Sequence, residues 1–129
     1  MLNYFNYNEF DSPDEIGSGM PKDKGGKMDK EFLYKLDEAR MYAQTPFKIT
    51  SGYRSEAYNN DLRKRGYKAS KNSSHCKGVA VDIAVNSGLQ RSAIVVGLIK
   101  AGFTRLGIAK TFVHVDLDKE KQQSIWLYA

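Results

Sequence analysis

Val79-Ala80-Val81-Asp82-Ile83-Ala84 and, further along, Phe112-Val113-His114-Val115-Asp116-Leu117 both alternate. In the first, Val79, Val81 and Ile83 fall on one face of an extended chain and Ala80, Asp82 and Ala84 on the other. In the second, Val113, Val115 and Leu117 oppose Phe112, His114 and Asp116. Period-two patterning with one fully aliphatic face defines a β-strand that covers a core and presents its other face to a pocket or to solvent. A carboxylate in so apolar a stretch as the one holding Asp82 is costly unless it is paired or bound to a metal. A helix cap or an arginine partner would satisfy it as well.

The chain has only two histidines, His75 and His114. Either alone reads as a satisfied imidazole in the core. Together with Asp82 they make a different set: two imidazoles and one carboxylate, the donors of a zinc site with an open fourth position. An open position admits water, and zinc lowers the pKa of that water to about 7, which makes it a hydrolytic nucleophile.

The remaining pattern frames these strands. Residues 1–28 read as an irregular arm, with turn chemistry at Asp11-Ser12-Pro13-Asp14 and glycines at Gly17, Gly19, Gly25 and Gly26. Tyr4, Phe5, Tyr7 and Phe10 are expected to pin it to the core. Asp29 caps a helix over about 30–43, in which Phe32, Leu33, Leu36, Ala39 and Ala43 recur at helical spacing and which Pro46 ends. A strand from Phe47 to Thr50 runs into Ser51-Gly52-Tyr53-Arg54. Ser55 caps a second helix to about Arg65, and a Gly-, Ser-, Asn- and Lys-rich loop covers 66–78. Ser87-Gly88-Leu89-Gln90 is a capping box for a helix to about Ala101, stopped by Gly102. Thr104–Ile108 and Thr111–Leu117 form a hairpin about Ala109-Lys110, and Ile125–Tyr128 a last edge strand. The expected fold is α+β: one domain over 1–129, a small antiparallel sheet with helices packed on one side and the zinc site on the sheet.

The single Cys76 excludes an intrachain disulfide. Beside His75 it reads as a packing residue rather than a ligand. No apolar run approaches the roughly 20 residues of a membrane span. The first residues hold no basic n-region and no apolar h-region, so no signal peptide is expected. On that reading the chain is made in the cytoplasm and reaches a substrate outside it only if exported, released or carried by a phage. The net charge of +5 is uneven. Residues 1–46 hold nine acids and six bases, whereas residues 47–78 hold eight bases and two acids. That basic segment is either a solvated face or a field drawing an anionic partner to His75. Arg63-Lys64-Arg65 has no nucleic-acid motif around it, so nucleic acid is not the expected partner.

Ser73-x-His75-x-x-Gly78-x-Ala80-x-Asp82 resembles the S-x-H-x-x-G-x-A-x-D signature of the M15 zinc peptidases, at all five positions. This family includes D-alanyl-D-alanine carboxypeptidases, dipeptidases and murein endopeptidases. Ser51-Gly52-Tyr53-Arg54 is similar to the segment that precedes the signature. Phe112-Val113-His114-Val115-Asp116, with Trp126 beyond it, resembles the small phage- or prophage-like branch ending in F-V-H-x-D. The resemblance implies Zn²⁺ held by His75, Asp82 and His114. It also implies a substrate or oxyanion contact from Arg54, substrate contacts from Ser73 and Tyr53, and peptidoglycan stem peptides as partners of a monomer. Gly78 would allow a turn or a close approach.

One departure concerns the general base. Other branches place Glu or Asp three residues before the last histidine, or a second histidine two before it; here these positions hold Thr111 and Phe112. Asp116, on the same strand face as His114, is the expected base, or else it orients a ligand imidazole. The same scaffold also occurs in hedgehog-type domains, so a non-catalytic zinc-stabilised domain that binds wall peptides or a protein partner stands as the alternative.

Overall fold

The computed structural model describes residues 1–128. Three helices, α1 (Lys30–Ala43), α2 (Glu56–Lys64) and α3 (Gly88–Lys100), alternate with five strands. These are β1 (Ile49–Ser51), β2 (Ala80–Ala84), β3 (Arg105–Ile108), β4 (Phe112–Asp116) and β5 (Ser124–Leu127). Side-chain caps set the helix starts. Asp29, Ser55 and Ser87 each accept from the backbone N–H three residues on, at 2.9, 3.0 and 3.1 Å. The box at Ser87 is displaced by one residue, because Gln90 Oε1 accepts from Asn86 N rather than from Ser87 N. α1 ends at Gln44 in the left-handed conformation, two residues before Pro46.

The sheet order is β1-β2-β4-β3-β5. All pairs are antiparallel except β3–β5, which is parallel. The expected antiparallel sheet is therefore mixed at one edge: the chain crosses from β4 past β3 before β5 joins. The aliphatic face matches the alternation. Val81, Ile83, Leu106, Val113 and Val115 are fully buried against Phe32, Leu33 and Leu36 of α1 and Ile94 and Leu98 of α3. Burial of such side chains, about 1.5–3 kcal/mol each, is what holds α1 and α3 on this face. α2 is different, because its only buried residue is Asn59. Its Tyr58 and Leu62 instead share a groove with Phe112 and Tyr128, so the helices do not all pack on one side.

The arm is less irregular than its sequence suggests. It carries two short 3₁₀ turns, at Tyr7–Phe10 and Lys22–Lys24. Phe10 and Met28 are fully buried, while Tyr4 is exposed and lies under the Arg40 guanidinium, 4.6 Å from its ring centre. Asn3 N and Tyr4 N donate to the carboxylate of Asp37, both at 2.9 Å. Tyr53 N donates to Phe10 O at 2.9 Å, and Asp29 N to Gly78 O at 2.8 Å. Gly78 has φ +73°, and a Cβ there would lie 1.9 Å from Lys27 O, so both turn and close approach demand glycine.

A third 3₁₀ turn, Ser74–Lys77, interrupts the loop before β2 and is tied to the end of β4 by Asp118. Ser74 Oγ donates to this carboxylate at 2.6 Å and Lys77 Nζ at 3.1 Å. Burial pushes the Asp118 carboxyl up, but Ser74 and Lys77 outweigh it and hold the group down at about 2. Stability from a depressed carboxyl is full above its unfolded value and disappears as pH falls toward the folded one. Asp118→Asn is expected to cost roughly 1–3 kcal/mol at neutral pH. In urea unfolding curves the gap from wild type should narrow as pH drops from about 5 toward 2; a pH-independent gap would contradict this assignment.

Candidate metal centre

Across the antiparallel register of β2 and β4, Asp82 faces His114 directly. Side chains of such partners stand about 4.5–5.5 Å apart at Cβ. His114 Nδ1 lies 2.9 Å from Asp82 Oδ1. His75 arrives from the Ser74–Lys77 turn and puts Nε2 at 3.3 Å from the same oxygen. One ligand atom from each of the three lies within 4.8 Å of the others. The expected trio is thus brought together; His75 and His114 are buried and Asp82 is partly exposed.

The SGYR segment supports this placement. Gly52 O accepts from His75 Nδ1 at 2.8 Å, and Arg54 N donates to His75 O at 3.2 Å. Ser73 Oγ accepts from His75 N at 3.2 Å and so caps the turn that carries the histidine. Arg54 Nη2 is 3.6 Å from Asp82 Oδ2, and Arg54 Nε donates to Ser51 Oγ at 3.1 Å. Arg54 and Ser73 line the cavity, of about 240 Å³, that opens over the trio. Tyr53 does not: alternation turns it away, and it packs against the core, so the expected substrate contact from Tyr53 is not supported by its position. Cys76 stands outside the trio, and burial pushes its thiol up.

The expectation for Asp116 as a base also needs correction on geometry. Its carboxylate sits behind His114, on the Nε2 side, with Oδ2 at 2.8 Å. Oδ1 accepts from Arg105 Nε at 2.7 Å and from Asp118 N at 3.1 Å. Both oxygens are engaged, and the side chain is 1% exposed. This placement matches the orienting alternative, in which the carboxylate holds an imidazole by its far nitrogen.

These contacts decide what the trio fits. With Nδ1 of His75 donating to Gly52 O and Nε2 of His114 against Asp116, the other nitrogen of each ring faces Asp82 Oδ1. Freed of protons, as metal binding requires, these two nitrogens and the carboxylate fit a divalent cation. Burial holds His75 below the ordinary imidazole range. Burial opposes protonation of His114 too, but Asp116 and Asp82 outweigh it and raise that ring. Burial likewise pushes Asp82 up, and the two imidazoles more than offset it.

Arg105 was not among the expected site residues. It is nearly buried, donates to Asp116 and to Gln122 O, and lies over the Trp126 ring at 4.7 Å. Hairpin register could have revealed it, because pairing Ile108 with Val113 sets Arg105 opposite Asp116. Trp126 lies 5.6 Å from the His114 ring, centre to centre. Gly107 permits this, since a Cβ there would fall 2.7 Å from Trp126 Nε1 and 2.6 Å from Tyr128.

A small α+β domain with a His-Asp-His trio on one sheet face is the frame of an M15-type metallopeptidase. The family model described as peptidoglycan L,D-endopeptidase MepK matches residues 4–122, and the chain belongs to this M15 peptidase family. Curated relatives of that name from Escherichia coli K12, Escherichia coli O157:H7 and Shigella flexneri are each 33% identical over 88 residues. The match covers 65% of this chain and 46% of each relative, so the chain spans about half the length of the curated relatives it matches.

Gly107→Val is expected to lift Trp126 off the site. Trp126 is the only tryptophan, so its emission should shift to the red and become more accessible to acrylamide. Unchanged emission in a folded variant would show that Trp126 does not depend on this close approach.

Proposed function

We propose that the chain is a zinc-dependent endopeptidase acting on the stem peptides of bacterial peptidoglycan. The observation that carries this reading is the convergence of two imidazole nitrogens and one carboxylate at the floor of an open cavity, in a chain of the M15 family. His75 through Nε2, Asp82, and His114 through Nδ1 would hold the zinc. Its contribution when bound is Lewis acidity toward a peptide carbonyl and an attacking water. Arg54, anchored by Ser51 and by Asp82, presents its guanidinium at the cavity edge, where a fork of donors suits an oxyanion or carboxylate. Ser73, at the cavity wall, is a cap for His75 first and a substrate contact second. Asp116 is a positioning residue that fixes the His114 ring, and Arg105 in turn fixes Asp116.

An endopeptidase rather than a carboxypeptidase is favoured because the cavity continues past Arg54 and Asp82 into a longer groove, with room for chain on that side of the scissile bond. The relatives' name directs the first assay to L,D-linked cross-bridges. The test is mass spectrometry of purified muropeptides after incubation with the zinc-loaded protein. Split cross-linked dimers support the proposal, loss of a terminal residue alone reassigns the chain as a carboxypeptidase, and no product of any kind overturns it.

A second reading rests on a specific observation. With both Asp116 oxygens engaged, the cavity offers, among the described residues, no free carboxylate or imidazole beyond the trio. That favours a zinc-stabilised domain that binds wall peptides without cleaving them. Asp116→Asn discriminates. A positioning role predicts zinc affinity weakened about 10–100-fold, with activity recovered in excess zinc. A general base predicts turnover down roughly 10²–10⁴ at unchanged zinc content. His75→Ala, Asp82→Ala and His114→Ala should each lower zinc occupancy from one per chain, measured by metal analysis; full zinc in all three would refute the assignment.

A further inference from the structure

The longer groove leads away from the trio between α2 with its following loop and the β3–β4 turn. Its volume is about 760 Å³. Tyr58, Leu62, Tyr67 and Phe112 give it apolar walls, and Tyr67 is 61% exposed, with the Arg65 guanidinium over its ring at 5.3 Å. Three cations line it: Arg54, engaged with Asp82 and Ser51, and Lys68 and Lys110, both exposed. Among the described residues, neither lysine has a carboxylate within 4.0 Å, whereas Lys30, Lys77, Lys119 and Lys121 all do. Among the described residues the only acid lining the groove is Asp82, already engaged with both imidazoles and Arg54. Lys110 sits on a held turn, since its carbonyl and that of Ala109 both accept from Arg91.

From this we propose that the groove is a specificity subsite for a peptide segment carrying a free carboxylate within a few residues of the scissile bond, read by Lys68 and Lys110. The inference rests on the peptidase reading for the position of that bond. Continuity is one argument: Arg54, Lys68, Asp82, Phe112 and Tyr128 line both the groove and the cavity over the trio, so a chain lying across the trio has a continuous path into the groove. Charge is the other. Two unpaired ammonium groups along a trough with apolar walls match an extended peptide with an acidic substituent, and among the described residues no unengaged acid lines it. The aromatic walls supply contact area, and the lysines select.

The experiment uses two synthetic peptides with the same scissile bond, differing only in whether the carboxyl group on the flanking residue is free or amidated. Cleavage by the zinc-loaded protein and binding by calorimetry are both measured. The free acid is expected to show a KM and a Kd about five- to tenfold lower than the amide, with similar kcat, and the advantage should fade as salt is raised. In Lys68→Met/Lys110→Met the two peptides should become equivalent, with hydrolysis of the amide unchanged. Lys68→Glu/Lys110→Glu should invert the preference. Equal handling of acid and amide by wild type overturns the subsite while leaving the peptidase reading intact. Tighter binding of the acid with no cleavage of either peptide upholds the subsite and overturns the peptidase reading. If only disaccharide-bearing fragments show a lysine-dependent gain, the groove reads glycan and the proposal fails.

Discussion

The pairing of Asp82 with His114 across β2 and β4 is the constraint on which the rest of the site depends. These strands lie at the centre of the sheet, with Val81, Ile83, Val113 and Val115 buried on the opposite face. A slip of one residue would carry the ligand residues into the core and the valines into the cavity. The hydrophobic core therefore sets the geometry of the polar site. His75 is the one member not fixed by that register, and it is held by the chain around it: Gly52 on its ring, Arg54 on its carbonyl and Ser73 on its N–H.

From this pair a line of polar contacts runs in both directions. On one side it passes from Asp82 through His75 to Gly52 O; on the other it passes through His114, Asp116 and Arg105 to Gln122 O. Every buried charge along it has a partner, which is the condition under which buried charge is tolerable. Arg105 is stacked under Trp126, so the far end of the line is closed by the edge strand β5. The cluster is thus oriented by groups on three strands and one turn before any ligand enters.

Much of this was legible in the sequence because it rests on short-range rules. Period-two alternation located β2 and β4 and told the faces apart, and capping residues placed all three helix starts. The S-x-H-x-x-G-x-A-x-D spacing picks out His75 and Asp82, and the F-V-H-x-D stretch His114, the three that the fold brings together. What was not legible depends on tertiary crossing or on orientation. The parallel approach of β5 to β3 leaves no periodic trace, and neither does the departure of α2 from the main core. Asp116 was placed on the correct face, but alternation does not say which nitrogen of His114 it meets. Tyr53 was carried with its motif neighbours, although adjacent residues in extended chain point opposite ways.

Sheet order also has a consequence for how the chain is made. β4 lies between β2 and β3 in space but follows both in sequence. A nascent chain that has completed α3 already has the helices that cover one face, while β2 still shows an unpaired edge of N–H and carbonyl groups beside Val81 and Ile83. Such an edge invites pairing with other chains until it is covered. The last quarter of the sequence therefore does two jobs at once. It seals the sheet and delivers His114, so the cluster cannot form until β4 has been made, and until then the open edge of β2 is exposed to misassembly.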